Sequence, residues 1–203
     1  MIRRSSKEFI DNLLDINPNW NVLDNGCGYS AHKDAKVVCD IQDLSSFYKE
    51  KNFIKLSEGN LPFKDKEFDF VISSHVIEHV QDVALFIKEL ERVSSKGYIE
   101  LPTVLEDNLV FENKKDHLWQ MWFDDDNSQL IISKRVQFIE PILTVSSVKK
   151  FSKYFRQSMV IELFWENSID FNIQKINEKK FEKLSRMTLF RKFFSKLLRN
   201  LIK

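Results

Sequence analysis

The chain has 203 residues, enough for one domain with a sizeable core and one appended element. Its 43% hydrophobic content, 30% charge and net charge of +1 describe a soluble globular protein, and two cysteines exclude a disulfide framework and fit a reducing cytoplasm. No run reaches the roughly 18 apolar residues of a membrane-spanning helix, and no apolar stretch of signal-peptide length follows Arg3-Arg4.

Charge is unevenly spread. Residues 178–203 hold nine Lys/Arg against two Glu, so the rest of the chain is net acidic. Eighteen phenylalanines exceed what a core of this size needs, and some are expected to face a partner.

Ser5 to Ile16 reads as a short amphipathic helix, capped by Ser5 or Ser6 and stopped at Asn17-Pro18-Asn19. A first strand, Asn21 to Asp24, runs into Asn25-Gly26-Cys27-Gly28. Glycine there permits positive φ and lets the backbone approach a ligand with no Cβ in the way. A second apolar run, Val37 to Cys39, ends at Asp40, only 16 residues beyond Asp24, so the first crossover helix must be short or irregular. An acid at the tip of that strand can accept hydrogen bonds from both hydroxyls of a ribose. The alternative is an Asp that ends a strand in a turn.

Asp43 to Lys51 is predicted as a helix, Phe53 to Leu56 as strand three, Phe70 to Ser73 as a strand buried on both faces, and Val83 to Val93 as a helix with one apolar stripe. Tyr98 to Leu101 is strand five, ended by Pro102. Short apolar runs alternating with helices argue for a parallel α/β sheet.

The order V-L-D-x-G-C-G, an acid closing strand two, L-P-F-x-D-x-x-F-D-x-V-I-S-S-H-V-I-E-H-V, F-I-K-E-L-x-R-V and G-Y-I-E-x-P resembles the class I S-adenosylmethionine-dependent methyltransferases, and the resemblance covers residues 20–102. It implies a Rossmann-like seven-stranded sheet with S-adenosylmethionine as cofactor. Asp24 with Gly26, Cys27 and Gly28 would hold the methionine end and Asp40 the ribose. Glu58, Gly59 and Asn60 would serve the adenine, and Ser73, Ser74 and His75 would lie beneath the sulfonium. Ser30 stands where the family usually has a third glycine.

His75-Val76-Ile77-Glu78-His79 is also a formal H-x-x-E-H, a zinc-protease signature when it lies within a long helix. Here it follows a buried strand, so no metal is assigned. Either His79 and Glu78 brace the segment after strand four, or they handle substrate. Beyond Pro102 the family motifs end. Residues His117 to Phe123 and Leu130 to Ile132 read as a β-hairpin around a solvated turn at Asp124-Asp125-Asp126-Asn127, with Trp119 and Trp122 on opposite faces, one in the core and one lining an acceptor pocket. His117 is a candidate base, its plainer reading a surface histidine. Val145 to Phe155 reads as a helix, and Val160 to Trp165 with Ile169 to Ile173 as the sheet's last strand pair.

Finally, Phe190, Phe193, Phe194, Leu197, Leu198, Leu201 and Ile202 form one stripe opposite Lys192, Lys196, Arg199 and Lys203. The helix either packs on the fold or a second copy, as in a homodimer, or lies on an anionic membrane. No nucleic acid is expected. The expectation is a cytoplasmic methyltransferase domain (1–177), membrane-associated where its tail docks on a bilayer, with a divergent acceptor half (103–177) and a basic amphipathic tail (178–203). It would act on an O or N atom of a small-molecule, glycan or lipid-linked acceptor, as the resemblance to methyltransferases of polysaccharide biosynthesis implies. The competing classes are a zinc hydrolase built on 75–79 and a non-catalytic membrane-docking protein.

Overall fold

The computed structural model describes residues 1–57, 60–175 and 183–201. Its main sheet has seven strands: β1 (Ile2–Arg4), β2 (Val22–Asn25), β3 (Val37–Asp40), β4 (Asn52–Lys55), β5 (Phe70–Ser74), β6 (Lys96–Pro102) and, as numbered in chain order, β9 (Val160–Glu166). They lie in the order β1-β9-β6-β5-β2-β3-β4. β4, β3, β2, β5 and β6 are mutually parallel, whereas β9 runs antiparallel to both β6 and β1.

The parallel strands read as continuous apolar runs because both faces are covered, and neighbouring residues feed different cores. Val22, Phe70, Ile72, Tyr98 and Phe164 point to the face covered by α1 (Lys7–Asp15) through Ile10 and Leu14. Leu23, Val71, Ile99, Leu163 and Trp165 point to the face covered by α2 (Val83–Val93) through Val83, Ile87, Leu90 and Val93. Gly97 is required by this packing, since a Cβ there would come within 2.5 Å of the Val71 carbonyl oxygen and 2.7 Å of Trp165 Nε1.

The α2 face also carries a three-stranded sheet. β7 (Trp119–Asp124) and β8 (Gln129–Lys134) form the expected hairpin, and β10 (Phe171–Gln174) adds in parallel to β8. Before it come the short α3 (Val104–Leu109) and α4 (Asn113–Asp116). α5 (Val145–Met159), kinked at Phe155, precedes β9, and α6 (Arg186–Leu201) follows β10.

Two expectations change. β10 leaves the main sheet, and its place as a seventh strand goes to the unexpected β1, whose Ile2 is fully buried opposite Trp165. Residues 43–51 are turns rather than a helix: Asp43 Oδ1 accepts from the Ser45 backbone and hydroxyl, a local alternative to helix hydrogen bonding. The short first crossover is present, but residues 26–36 contain no α-helix. Their backbone is satisfied by side chains instead. Lys51 Nζ donates to the carbonyls of His32, Lys33 and Ala35, Tyr48 Oη donates to Gly28 O, and the His32 amide donates to Asp24. Among the described residues, the apolar stripe of α6 is exposed at Phe190, Phe193, Phe194, Leu197 and Leu198. Leu201's side chain and residues 202–203 lie outside the described residues.

Candidate active site

A cleft of about 920 Å³ opens at the carboxyl ends of β2, β5 and β6. One wall is the glycine turn. Gly26 (φ +73°) and Gly28 (φ +48°) reverse the chain after β2, and the amides of Gly26 and Cys27 both donate to the Cys39 carbonyl, at 2.8 and 3.1 Å. A Cβ on Gly26 would meet Val76 Cγ2 at 2.2 Å, so the turn and the segment after β5 interlock only because this residue is glycine. Above Gly28, by contrast, space is open: nothing lies within 4 Å of where its Cβ would be.

Asp24, Gly26, Cys27, Gly28, Ser74, His75, His79 and His117 all line the cleft, so the fold brings together most of the residues expected there. Burial pushes the Asp24 carboxyl up to about 6, against the stabilising His32 amide bond at 2.7 Å. Burial, with Asp24 and Asp40 nearby, pushes the Cys27 thiol up to about 12, which keeps it neutral and inert.

Other expected residues sit elsewhere. Asp40 is half-buried just outside the cleft lining, its two oxygens accepting the amides of Gly28 and Gln42 at 2.9 Å each. Each oxygen keeps a further lone pair. Ser73 is buried, and its hydroxyl has no hydrogen-bond partner among the described residues. Asn60 is exposed, and Glu58 and Gly59 lie outside the described residues. Trp119 is in the core, as one of the two tryptophans was expected to be, but Trp122 is half-buried and does not line the cleft.

The opposite wall is ionic. His75 takes up a left-handed conformation (φ +55°), which is uncommon for a residue with a Cβ. Its ring lies 3.3 Å from both Glu78 and Glu100. Desolvation by the surrounding cleft opposes its charge, although the side chain is 44% exposed, and the two carboxylates win and raise its pKa to about 10, so it is a cation at neutral pH. Glu100 is held down at about 2, against its burial, by His75, Arg156 and Tyr98. Arg156 bonds both Glu100 and Glu162, and Tyr98 Oη donates to both.

His117 is not a surface residue. Its side chain is 7% exposed, and Nδ1 lies 2.6 Å from Asp107 Oδ1, whose other oxygen accepts from Arg135 Nε at 2.6 Å. The start of β7 is pinned to the segment after β5 by the amides of Leu118 and Trp119 donating to Glu78 O, and by Trp119 Nε1 donating to Val80 O. That stitching carries His117 to His79, their rings edge to face at 4.6 Å. Residues 75–79 form a turn, not a helix, so the H-x-x-E-H histidines do not share a helical face and the zinc-hydrolase geometry is absent.

Glu106, not anticipated from the sequence, lies 8% exposed in the cleft wall. Burial raises its carboxyl to about 7, outweighing the nearby His75 and His117. Only its position just after a strand-ending Pro102 and the Thr103 cap could have drawn attention to it.

Residues 23–99 match the family model described as a methyltransferase domain. An uncharacterized protein of Methanocaldococcus jannaschii is 29% identical, with 71% of this chain and 78% of that protein covered. Ajmaline N-methyltransferase of Rauvolfia serpentina is 47% identical over 84 residues, 41% of this chain, and the match spans 24% of that protein's length. Among solved structures, a methyltransferase of Thermotoga maritima described as S-adenosylmethionine-dependent is 13% identical with a TM-score of 0.43, covering 72% of this chain and 82% of the other.

Proposed function

We propose that the chain is a class I S-adenosylmethionine-dependent methyltransferase, a reading supported by the match of residues 23–99 to a methyltransferase domain, and that it methylates an oxygen or nitrogen atom of a small-molecule, glycan or lipid-linked acceptor. The observation that carries this reading is the continuity of the cleft, which joins the glycine turn to the ionic wall of His75, Glu106 and His117 in one space.

The residues present fit the cofactor. Open space above Gly28 and the buried carboxylate of Asp24 suit a chain bearing an ammonium group, and the acidic lining at Asp24, Glu100 and Glu106 favours a cationic ligand. Asp40 would receive the ribose through its remaining lone pairs, while the exposed Tyr29 and Phe47, edge to face at 5.2 Å, offer an apolar surface for the adenine. Asn60, with Glu58 and Gly59, would complete that end, and Ser73 and Ser74 the floor. When bound, S-adenosylmethionine supplies an electrophilic methyl group on a sulfonium.

The protein's own contribution is alignment and exclusion of water, worth up to about 7–11 kcal/mol when geometry is good. Glu106, titrating near 7, is the group matched to accept a proton from the acceptor at neutral pH. His75, already a cation, donates rather than accepts; with His79 and His117 it would position the acceptor atom. Calorimetric titration of S-adenosylhomocysteine into the parent and Asp40→Ala tests the frame. Absence of binding by the parent overturns it and leaves a non-catalytic docking protein, whereas unchanged binding by the variant removes only the ribose assignment. Methyl-label transfer into a cell extract fractionated by solubility identifies the acceptor.

The exposed aromatic stripe and cations of α6 favour a second reading, a cytoplasmic enzyme attached peripherally to an anionic membrane through residues 188–203. No helix among the described residues is long and apolar enough to cross a membrane. The full chain should sediment with anionic vesicles and a chain lacking 188–203 should not. Equal partitioning of the two would refute membrane docking, and loss of self-association on deletion would assign the stripe to a homodimer.

A further inference from the structure

On the acceptor side of the cleft, two of the histidines that face the acceptor stand beside a buried carboxylate in an arrangement that methyl transfer alone does not call for. The ligand atoms of Glu78, His79 and His117 lie within 4.8 Å of one another. Glu78 is fully buried, and neither of its carboxylate oxygens has a hydrogen-bond partner among the described residues. Oε1 lies 3.3 Å from His75 Nδ1, an ion-pair distance, and Oε2 has no hydrogen-bond partner among the described residues. A buried carboxylate met by a cation at one oxygen alone leaves the other to be satisfied, which a second cation can do.

The two rings are set up to coordinate. His79 Nδ1 lies 3.0 Å from the Asp116 carbonyl oxygen. That oxygen can only accept, so Nδ1 carries the proton and Nε2 the lone pair. His117 Nδ1 meets Asp107 Oδ1, whose partner oxygen accepts from Arg135 Nε, so its Nε2 is likewise the free nitrogen. Histidines whose second nitrogen donates to a carboxylate or backbone carbonyl are the usual arrangement around a metal, where the outer partner fixes tautomer and direction. Ligand atoms about 3.4 Å apart suit metal–ligand bonds of ~2.0–2.2 Å, and a modest inward movement of side chains that now lie within 4.8 Å of one another would reach that spacing.

We propose that Glu78, His79 and His117 bind a divalent transition-metal ion, and that its open coordination position faces the cleft and receives an acceptor oxygen. Two imidazoles and one carboxylate match zinc or ferrous iron better than magnesium or calcium, which prefer all-oxygen shells. The site differs from the H-x-x-E-H reading in using His117, ten residues beyond its partner Asp107, and not His75. The position of the acceptor rests on the methyltransferase reading; metal binding does not.

The test is zinc titration of the chelator-treated full chain by calorimetry and elemental analysis, with cobalt absorption as a coordination signature. One equivalent should bind. His79→Ala, at an exposed position, should weaken binding at least 100-fold with an unchanged circular dichroism spectrum, and Asp107→Asn by about 10–100-fold, whereas His75→Ala should keep the stoichiometry. A folded parent that takes up no metal, or binding that survives His117→Asn and is lost in His75→Ala, overturns the assignment. S-adenosylhomocysteine titrated into the metal-free protein reads the methyltransferase frame separately: nucleoside binding without metal uptake refutes only the metal site, and metal uptake without nucleoside binding refutes only the frame.

Discussion

The two walls of the cleft are built by different physics. The glycine turn is a backbone structure: residues adjacent in sequence, positive φ, amides clamped on the Cys39 carbonyl, and a contact with Val76 that excludes any side chain. The ionic wall is a side-chain structure assembled from β5, β6, α3, the start of β7 and α5, in which buried carboxylates at 78, 100, 106 and 107 are balanced by His75, His117, Arg135 and Arg156. A backbone site tolerates drift in the surrounding sequence but no Cβ at its pivot, whereas a side-chain site tolerates conservative shape changes but no unbalanced charge.

That contrast can be broken most severely on the ionic side. Asp107→Ala leaves Arg135 buried without its carboxylate and His117 without its anchor, and should cost about 3–5 kcal/mol in chemical denaturation. A loss under 1 kcal/mol would mean that the wall is solvated. On the backbone side, Gly26→Ala imposes a left-handed alanine and a clash with Val76, together about 3 kcal/mol. It should also abolish S-adenosylhomocysteine binding. Adding Val76→Ala should restore part of the stability but little of the binding, because it relieves the clash and not the φ preference.

A finer test uses protons. Glu106 has a folded pKa near 7 against an ordinary 4.5, so the unfolded chain loses this proton first. The stability it contributes is therefore present at low pH and lost as pH rises through the window from 4.5 to 7. Between pH 5 and 7.5 the loss is about 2 kcal/mol at the exchange of 1.36 kcal/mol per unit. Glu106→Gln should remove that slope; an identical pH profile for parent and variant would contradict the burial of this carboxyl. Smallest of all, Arg4→Ala breaks an exposed pair with Asp125 at 2.6 Å and should change stability by less than about 1 kcal/mol, vanishing at high salt.

The same contrast decides what could be read from sequence. Asp24, Gly26 and Gly28 were visible because a backbone turn needs particular residues at fixed spacing, and α2 because its apolar period is local. His117 was not, because its burial depends on Asp107 and on hydrogen bonds to Glu78 that only the tertiary fold creates. Residues 43–51 have helical spacing, but Leu44 and Tyr48 are claimed by the core under the crossover loop and Asp43 prefers its own turn. β1 is three residues long, and nothing in Ile-Arg-Arg announces a partner near residue 164.

That small strand has a consequence for synthesis. β1 pairs with β9, Ile2 opposite Trp165, so an early strand closes the sheet against nearly the last of its strands. At about 5–20 residues per second on the ribosome, Ile2 waits roughly 10–30 s for its pocket. In that interval β6 has no β9 beside it, and the parallel strands must hold together with one edge open. Closure is a late, long-range event whose entropic cost is met only when β9 emerges. A chaperone that covers β1 would therefore act on sheet completion, far along the chain from where it binds.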